Sequence, residues 1–284
     1  MNVDYHLHSE YSDDSFYDME ELVKDYIKLG INEICFTDHV DYGIKRDHDD
    51  PRGFEYFCPY NDGKYVPLSN VDYPNYIKRI DELADKYKDQ VVIKKGLELG
   101  LQSHRIKEYE ELIQKYPVFD FFLLSFHETD DLETWNQDYQ KGKSQKEYNE
   151  GYYLDMLKTV KNFKNYSALA HMDLLRRYDL EGDYPFELLK PLIEEILKIV
   201  IADGKGIEIN ASSIRYGLKD LTPSRDILKL YRELGGRIIT IGSDAHKREH
   251  LSIDILNMAK EELKKLGYKE YCTFDKLEPI FHKL

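Results

Sequence analysis

The sequence has little cysteine, a deficit of positive charge and no long apolar run, and each of these absences excludes a class of protein. Its three cysteines, Cys35, Cys58 and Cys272, are odd in number and lack Cys-x-x-Cys spacing. Neither a disulfide framework nor a cysteine-based zinc finger is therefore expected. The amino terminus does not read as a signal peptide, and no apolar run reaches the length that spans a bilayer. We expect a cytoplasmic protein that does not contact a membrane.

The charge balance excludes a second class. Lysine and arginine total 40 against 54 aspartate and glutamate residues, a formal net charge of −14, and no basic cluster is longer than a few residues. Binding of nucleic acid through bulk electrostatics is therefore disfavoured. The same acidity repels an anionic substrate, unless bound cations or local arginines reverse the field at the site.

Short apolar runs alternate with longer amphipathic ones along the whole chain. This pattern predicts seven strand-then-helix units, with strands near residues 3–8, 31–37, 91–98, 119–126, 167–170, 207–210 and 237–241. Repeated alternation of this kind implies a mostly parallel sheet. No linker-like break interrupts it, so we expect one α/β domain over residues 1–284. Two polar insertions, at about 40–74 and 128–145, interrupt the pattern; the first is either a functional lid or a neutral insertion.

The first strand carries two histidines, His6 and His8, at alternate positions. Side chains alternate in direction along a strand, so both imidazoles point the same way. An isolated pair of this kind is more often a packing feature than a metal site. The interpretation as a metal site depends on repetition further along the chain.

That repetition is present, because histidine or carboxylate residues occur at the carboxyl ends of several predicted strands. The set consists of His6, His8, Asp38, His39, Glu98, His127, His171, Asp244 and His246. In α/β barrels this rim carries the active site, so the pattern favours a closed or nearly closed barrel over an open sheet. Imidazole and carboxylate donors without thiolates suit zinc, manganese or iron. Glu98, with two oxygens, can bridge two ions about 3.5–4 Å apart.

These residues resemble those of the PHP (polymerase and histidinol phosphatase) family of metal-dependent phosphoesterases. The resemblance spans nearly the whole chain and consists of His6-Leu7-His8, Thr37-Asp38-His39, Gly96-Leu97-Glu98, isolated His127 and His171, and Gly242-Ser243-Asp244-Ala245-His246. It implies a distorted (β/α)7 TIM-like barrel that holds two or three divalent metal ions.

The resemblance also implies which residues share each ion. His6, His8, Glu98 and Asp244 would surround a first ion, and Glu98, His127 and His171 a second. Asp14, His39 and His246 would hold the third. Many members of the family have a histidine where this chain has Asp14, and the neighbouring Asp13 is an alternative for that position.

The chain length, the insertion after the second strand and the absence of a polymerase segment look most like the stand-alone histidinol-phosphate phosphatases. That resemblance implies hydrolysis of L-histidinol phosphate to L-histidinol and phosphate, in histidine biosynthesis, by a metal-bridging hydroxide. Three alternatives share the metal motifs: a phosphoesterase acting on a nucleotide or sugar phosphate, a nucleic-acid phosphatase or nuclease, and a metal-binding protein without turnover. The sequence does not choose between a monomer and a homodimer.

Phosphate recognition and proton transfer need further residues. Arginine matches phosphate oxygens with its planar fork, and Arg176 or Arg177 and Arg215 follow strand ends directly. Asp244 or His246 is the candidate general acid for the departing alkoxide. The imidazole and ammonium groups of the substrate would be held by the first insertion, where Asp41, Tyr42 and residues 47–50 offer carboxylates and aromatic faces.

Overall fold

The computed structural model describes residues 1–52, 57–59 and 65–284. Its strands are β1 (Val3–Leu7), β2 (Glu33–Phe36), β3 (His39–Val40), β4 (Phe57–Pro59), β5 (Tyr65–Pro67), β6 (Val92–Gly100), β7 (Phe121–Ser125), β8 (Glu128–Thr129), β9 (Leu132–Glu133), β10 (Ala168–Leu169), β11 (Gly206–Asn210), β12 (Ile239–Gly242), β13 (Glu270–Asp275) and β14 (Glu278–Lys283). Its α-helices are α1 (Met19–Lys28), α2 (Tyr73–Lys86), α3 (Ile106–Lys115), α4 (Gln145–Asn162), α5 (Phe186–Ala202), α6 (Arg225–Glu233) and α7 (Ile253–Lys265).

Seven parallel strands form the body of the molecule in the order β1-β2-β6-β7-β10-β11-β12, and β3 pairs with β6 beyond the end of β2. The first and last strands meet at their carboxyl ends. There the amide of Asp244 donates to the carbonyl of His6 (2.8 Å), and the amide of His8 donates to the carbonyl of Ala245 (2.9 Å). The nearly closed barrel with surrounding helices confirms the predicted (β/α)7 fold.

The barrel strands are largely buried on both sides because helices cover the outside and side chains fill the inside. Every residue of β1, β7 and β11 is buried. Gly96 in β6 illustrates how closely the strands approach, since a Cβ atom at this position would lie 2.8 Å from both Cys35 Sγ and the carbonyl oxygen of Phe36. A larger residue would therefore push β6 away from β2.

Five of the seven α-helices in the described ranges begin after a residue whose side chain caps them: α1, α2, α4, α6 and α7. Ser144 and Glu147 form a capping box at the start of α4, and the Asp18 side chain accepts from the amide of Glu21 at the start of α1 (2.9 Å). Such caps satisfy amides that have no partner within the helix. The apolar periodicity predicts a helix over residues 76–88, whereas α2 begins three residues earlier, at Tyr73, because Asp72 is its cap.

The carboxyl-terminal tail, which the sequence pattern does not resolve, is an antiparallel hairpin of β13 and β14. Tyr5 ties it to the barrel by donating to the carbonyl of Phe274 (3.1 Å) and accepting from its amide (2.8 Å). The amide of Leu277 donates to the carbonyl of Asp120, just before β7 (2.9 Å). The hairpin therefore covers the amino-terminal end of the barrel, opposite the predicted site.

Both predicted insertions contain short hairpins. The first includes β4 and β5, and the second includes β8 and β9. Residues 53–56 and 60–64 of the first insertion lie outside the described residues, and so does that part of the predicted lid. Among the helices of the described ranges, none combines the length and apolar character needed to cross a membrane.

Candidate active site

The carboxyl ends of the barrel strands bring the predicted ligands together, and Glu98 of β6 lies at their centre. Its Oε2 lies 3.1 Å from His6 Nε2, 3.4 Å from His8 Nε2 and 3.2 Å from His39 Nδ1. His6 and His8 point the same way, as their alternate positions on β1 require. One carboxylate oxygen therefore faces three imidazoles that come from two different segments of the barrel.

The other oxygen of Glu98 faces the opposite side of the barrel. Glu98 Oε1 lies 3.2 Å from His127 Nε2 and 2.9 Å from His171 Nε2, and it accepts from the Ser125 hydroxyl (2.6 Å). His127 follows β7 and His171 follows β10, the next two strands around the barrel. Glu98 thus has the geometry of a bridging ligand between two groups of histidines.

Asp244 and His246 approach from the last strand. Asp244 Oδ1 lies 3.6 Å from His6 Nε2 and 3.7 Å from His8 Nε2. Asp244 has a φ of +58°, in the left-handed region that few residues other than glycine adopt. Strained backbone of this kind is typical of functional sites.

Asp14 joins the same cluster and its neighbour Asp13 does not. Asp14 Oδ2 lies 3.2 Å from His246 Nε2 and 3.6 Å from His39 Nε2. Asp13 instead accepts from the ammonium group of Lys45 (2.8 Å). Of the two neighbouring carboxylates, Asp14 is therefore the one placed beside the histidines.

The donor set fits metal ions. In the described part of the chain, five groups of three residues place one histidine nitrogen or carboxylate oxygen each within 4.8 Å of one another, and every predicted ligand except Asp14 belongs to at least one group. Among the described residues, three buried imidazole nitrogens have no hydrogen-bond partner, and two of them, His8 Nε2 and His39 Nδ1, face Glu98 Oε2. Buried polar atoms are normally satisfied, so these two nitrogens are free to coordinate a cation.

The electrostatics of the site agree with this geometry. Burial and the neighbouring imidazoles of His246 and His39 hold the pKa of His8 well below its ordinary value, which keeps the ring neutral, the form that binds metal. Burial alone would raise the pKa of Glu98, but the charges of His6 and His127 hold it well below its usual range. Glu98 is therefore an ionised carboxylate in the interior.

Two carboxylates that are not among the predicted metal ligands support those ligands from behind. Glu208 of β11 accepts from His6 Nδ1 (2.6 Å) and from the amide of His171 (3.0 Å). Asp41 accepts from His127 Nδ1 (2.9 Å). Such partners fix the tautomer and orientation of a metal-binding histidine. The signal for Glu208 is present in the sequence, because it is a charged residue between Ile207 and Ile209 in a buried strand.

Asp38, which also ends a predicted strand, does not face the cluster. It accepts from the amide of Ser9 (2.7 Å), the Ser9 hydroxyl (3.0 Å) and the Ser12 hydroxyl (2.7 Å). It therefore fixes the loop that follows His8 and carries Asp14.

The three candidate arginines have different surroundings. Arg177 Nη2 donates to Asp244 Oδ2 (3.1 Å) and to the Ser212 hydroxyl (2.7 Å), and its buried Nε has no hydrogen-bond partner among the residues that the structure describes. Arg176 points away, to Asp173 (2.9 Å) and Asp183 (3.0 Å).

Arg215 contacts the backbone of the last strand segment. Its guanidinium donates to the carbonyl oxygens of Ser243 (2.9 Å) and Asp244 (2.6 Å). Among the described residues that border the cavity above the cluster, Arg177 is the one arginine.

This cavity has a volume of about 430 Å³. Both insertions contribute to its wall: the first through Asp41, Lys45 and Leu68, the second through Glu128, Glu133, Thr134 and Trp135. Asp47 is instead bound to other residues of the chain, accepting from the hydroxyls of Tyr42 (3.1 Å) and Tyr73 (3.0 Å). It therefore organises the first insertion and does not border the cavity.

Comparison with known proteins agrees with the site. The model of the PHP domain family matches residues 4–212. The histidinol-phosphatase of Lactococcus lactis subsp. lactis is 32% identical over 280 residues, covering 96% of this chain and 94% of that protein. A probable histidinol-phosphatase of Clostridium acetobutylicum is 29% identical and covers 99% of this chain and 96% of its own.

Solved structures agree as well. A crystal structure of the Lactococcus lactis histidinol phosphate phosphatase, complexed with zinc, L-histidinol and phosphate, has a TM-score of 0.81 and 29% identity, covering 98% of each chain. A histidinol phosphatase structure from Listeria monocytogenes shares the fold, with a TM-score of 0.69 and 18% identity over 88% of this chain and 97% of that one. With its barrel, its histidine and carboxylate rim and these relatives, the chain belongs to the PHP domain family.

Proposed function

We propose that this protein hydrolyses L-histidinol phosphate to L-histidinol and phosphate, a step of histidine biosynthesis. The observation that carries the proposal is the Glu98-centred cluster at the floor of a cavity that also contains Arg177. The relative from Lactococcus lactis, similar over 98% of the chain, binds zinc, L-histidinol and phosphate. Metal ions held by such a cluster, together with an arginine, would supply the positive charge that binding of a phosphomonoester requires.

The residues that would hold the metal ions form three sets. We assign His6, His8, Glu98 and Asp244 to one ion, Glu98, His127 and His171 to a second, and Asp14, His39 and His246 to a third. The zinc bound in the structure of the Lactococcus lactis relative supports zinc as the metal. Manganese or iron also suits the same donor atoms. When bound, such cations neutralise phosphate charge and make a water molecule more acidic.

The chain's own residues do the rest. Arg177 binds a phosphate oxygen through its unpartnered Nε, while its Nη2 stays on Asp244. Since Arg177 is buried, its charge acts in a medium that screens it less than water does. Asp244 or His246, both bordering the cavity, supplies the proton that the departing alkoxide needs.

Residues 1–284 act as one unit in this proposal, because His6 near the start and Asp244 near the end belong to the same ligand set. The reaction takes place in the reducing cytoplasm, which agrees with the free, buried thiols of Cys35 and Cys272. The substrate is a small molecule, since a net charge of −14 disfavours nucleic acid.

The experiment is phosphate release from L-histidinol phosphate and from a panel of nucleotide, sugar and aryl phosphates. Metal-reconstituted and chelated samples of the purified protein are assayed side by side, with Glu98→Gln as the variant that lacks the bridging charge. We expect metal-dependent turnover with a strong preference for L-histidinol phosphate. Equal or greater turnover of a nucleotide or sugar phosphate would contradict the substrate assignment, and turnover that survives chelation would contradict the metal assignment.

A further inference from the structure

A second cavity lies on the other side of the short helical turn Leu174–Arg177. Its volume is about 240 Å³, and its wall comes from this turn, α4, α5 and the start of α6. Within the turn, Leu174 and Arg177 border the cavity above the predicted metal ligands, whereas Leu175 and Arg176 border the second cavity. The turn therefore separates the two spaces, and none of the described residues borders both of them.

Asp173 is the buried carboxylate of the second cavity. It is 2% exposed, and its Oδ2 accepts from Arg176 Nη1 (2.9 Å) and from the amide of Ser224 (2.8 Å). Its Oδ1 has no hydrogen-bond partner in the described part of the chain. A buried carboxylate oxygen without a donor is costly, so a bound molecule that donates to Asp173 Oδ1 would offset that cost.

The charges that border this cavity do not balance. Arg176 donates through Nη1 to Asp173 and through Nε to Asp183 (3.0 Å), so one guanidinium group serves two carboxylates. The other carboxylates of the wall each have a cation of their own, in the pairs of Asp220 with Arg225 and Asp226 with Lys229. One negative charge therefore remains, and a ligand with a single positive charge would neutralise it.

Tyr153 of α4 offers a second polar group. The residue is 3% exposed and borders the same cavity, and its hydroxyl makes no hydrogen bond to another described residue. Burial and the charge of Asp173 raise the pKa of this phenol well above its ordinary value, so the hydroxyl stays protonated. Its oxygen and Asp173 Oδ1 are both acceptors, and an ammonium group is a donor with three hydrogens.

The rest of the wall is largely apolar. Phe186, Leu189 and Ile193 of α5 belong to it, together with Leu175 and Ile227. An inorganic cation would need several oxygen ligands, whereas a hydrocarbon body gains from contact with these side chains. Cavities for drug-sized ligands have volumes of about 300–1,000 Å³, so this one suits a smaller molecule.

The structure assigns the second cavity to a small organic cation, a primary ammonium ion with an apolar body. The ammonium group donates to Asp173 Oδ1 and to the Tyr153 hydroxyl, and the apolar body lies against Phe186 and its neighbours on α5. Such a ligand would also contact the turn that carries Arg177. The inference goes beyond the proposed function and does not depend on it, because occupancy of this cavity is measured by binding alone.

The test measures binding of 2-phenylethylamine to the metal-reconstituted protein by calorimetry, with 3-phenylpropionate as an anion of similar shape. We expect the amine to bind with a dissociation constant on the order of 1 mM or below, and the anion at least about tenfold more weakly. In Asp173→Asn the affinity for the amine should fall about 10- to 100-fold, as for the loss of a hydrogen bond to a charged group. In Tyr153→Phe it should fall at least about threefold, because one acceptor is lost.

Asp203→Asn is the matched control and should keep the wild-type affinity. Asp203 lies at the other end of α5, pairs with Lys164 (2.6 Å) and does not border the cavity. Thermal unfolding and metal content of every variant show whether the fold and the metal ligands persist. Tyr153→Phe removes a hydroxyl without a partner among the described residues, so it decides the question even if Asp173→Asn does not fold.

Two kinds of result would overturn the inference. One is wild-type protein that binds no 2-phenylethylamine up to about 10 mM, or that binds 3-phenylpropionate equally well. The other is wild-type affinity for the amine in folded Asp173→Asn or in Tyr153→Phe, which would place the amine elsewhere on the protein. Because none of these measurements needs turnover, failure of the proposed function would leave the test of this cavity intact.

Discussion

Glu208 provides the most direct test of the site, because it supports two predicted ligands at once. One oxygen accepts from His6 Nδ1 at 2.6 Å, and the other accepts from the amide of His171 (3.0 Å) and the side chain of Asn210 (3.2 Å). In Glu208→Gln the shape is kept but one oxygen becomes an NH₂ group. In either orientation of the side-chain amide in Glu208→Gln, this NH₂ group faces another donor, either His6 Nδ1 or the amide of His171. One hydrogen bond is therefore lost in both orientations.

The magnitude follows from the burial of this contact. Glu208 and His6 are both fully buried, and a hydrogen bond to a charged group contributes about 1.5–3 kcal/mol. Removing the support of a metal-binding histidine typically lowers metal affinity or activity about 10- to 100-fold. The two figures agree, since a tenfold change corresponds to about 1.4 kcal/mol. We expect Glu208→Gln to weaken metal binding and kcat/KM by this factor.

The assay is a metal titration of the chelated protein, followed by both phosphate release and metal content. Glu195→Gln is the matched control, because Glu195 is half exposed and pairs with Lys161 on the surface (2.6 Å), where an ion pair contributes little. Metal affinity and turnover equal to wild type in Glu208→Gln would refute the reasoning that Glu208 orients His6. If the chelated variant unfolds while the chelated wild-type protein stays folded, the role of Glu208 is to stabilise the fold instead.

Three further predictions concern the same rim. Arg177→Ala should lower kcat/KM for phosphomonoesters at least tenfold. Arg215→Ala should instead lower the free energy of unfolding by about 1–3 kcal/mol, because it loses two hydrogen bonds to backbone carbonyls. Steady-state kinetics and urea unfolding distinguish the two effects, and a purely kinetic defect in Arg215→Ala would contradict this prediction. Metal affinity should weaken as pH falls. Burial opposes the charge on His6, but Glu208, Glu98 and Asp244 raise the pKa of His6 well above its ordinary value in the metal-free chain, so metal binding must release a proton. Calorimetry in buffers of different ionisation enthalpy measures that proton release, and its absence would refute the argument. Gly242→Ala should lose bound metal, since the added Cβ would collide with Glu208 Oε1 and His6 Cβ. Metal analysis of the purified variant checks this, and a variant with its full metal content would contradict the prediction.

The sequence alone predicts the barrel and its ligand chemistry. The alternation of apolar and amphipathic runs predicts parallel strands, and the parallel strands of a barrel place their carboxyl ends on one rim. Residues that end different strands, such as His6, Glu98 and His171, therefore lie together whatever the exact helix boundaries are. The predicted start of α2 differs by three residues from the observed one without moving any of these side chains.

Other features depend on neighbours that are distant in sequence. Asp38 ends a strand like the ligands, yet it turns to Ser9 and Ser12. Arg176 and Arg177 are adjacent, and only the packing of their short helical turn directs Arg177 to Asp244. The sequence-based expectation that the first insertion holds the substrate did not anticipate that Asp47 is bound by Tyr42 and Tyr73.

The sequence by itself determined which kinds of atoms gather at the rim, because strand periodicity fixes the face on which each side chain lies. Only the tertiary structure decided which buried carboxylates support the ligands and which remain without a cation. The distances between Glu208 and His6, or the pairing of Glu128 with Glu133, arise from barrel closure and hairpin register. These contacts bring together segments that local spacing cannot relate, so they were beyond the reach of the sequence pattern.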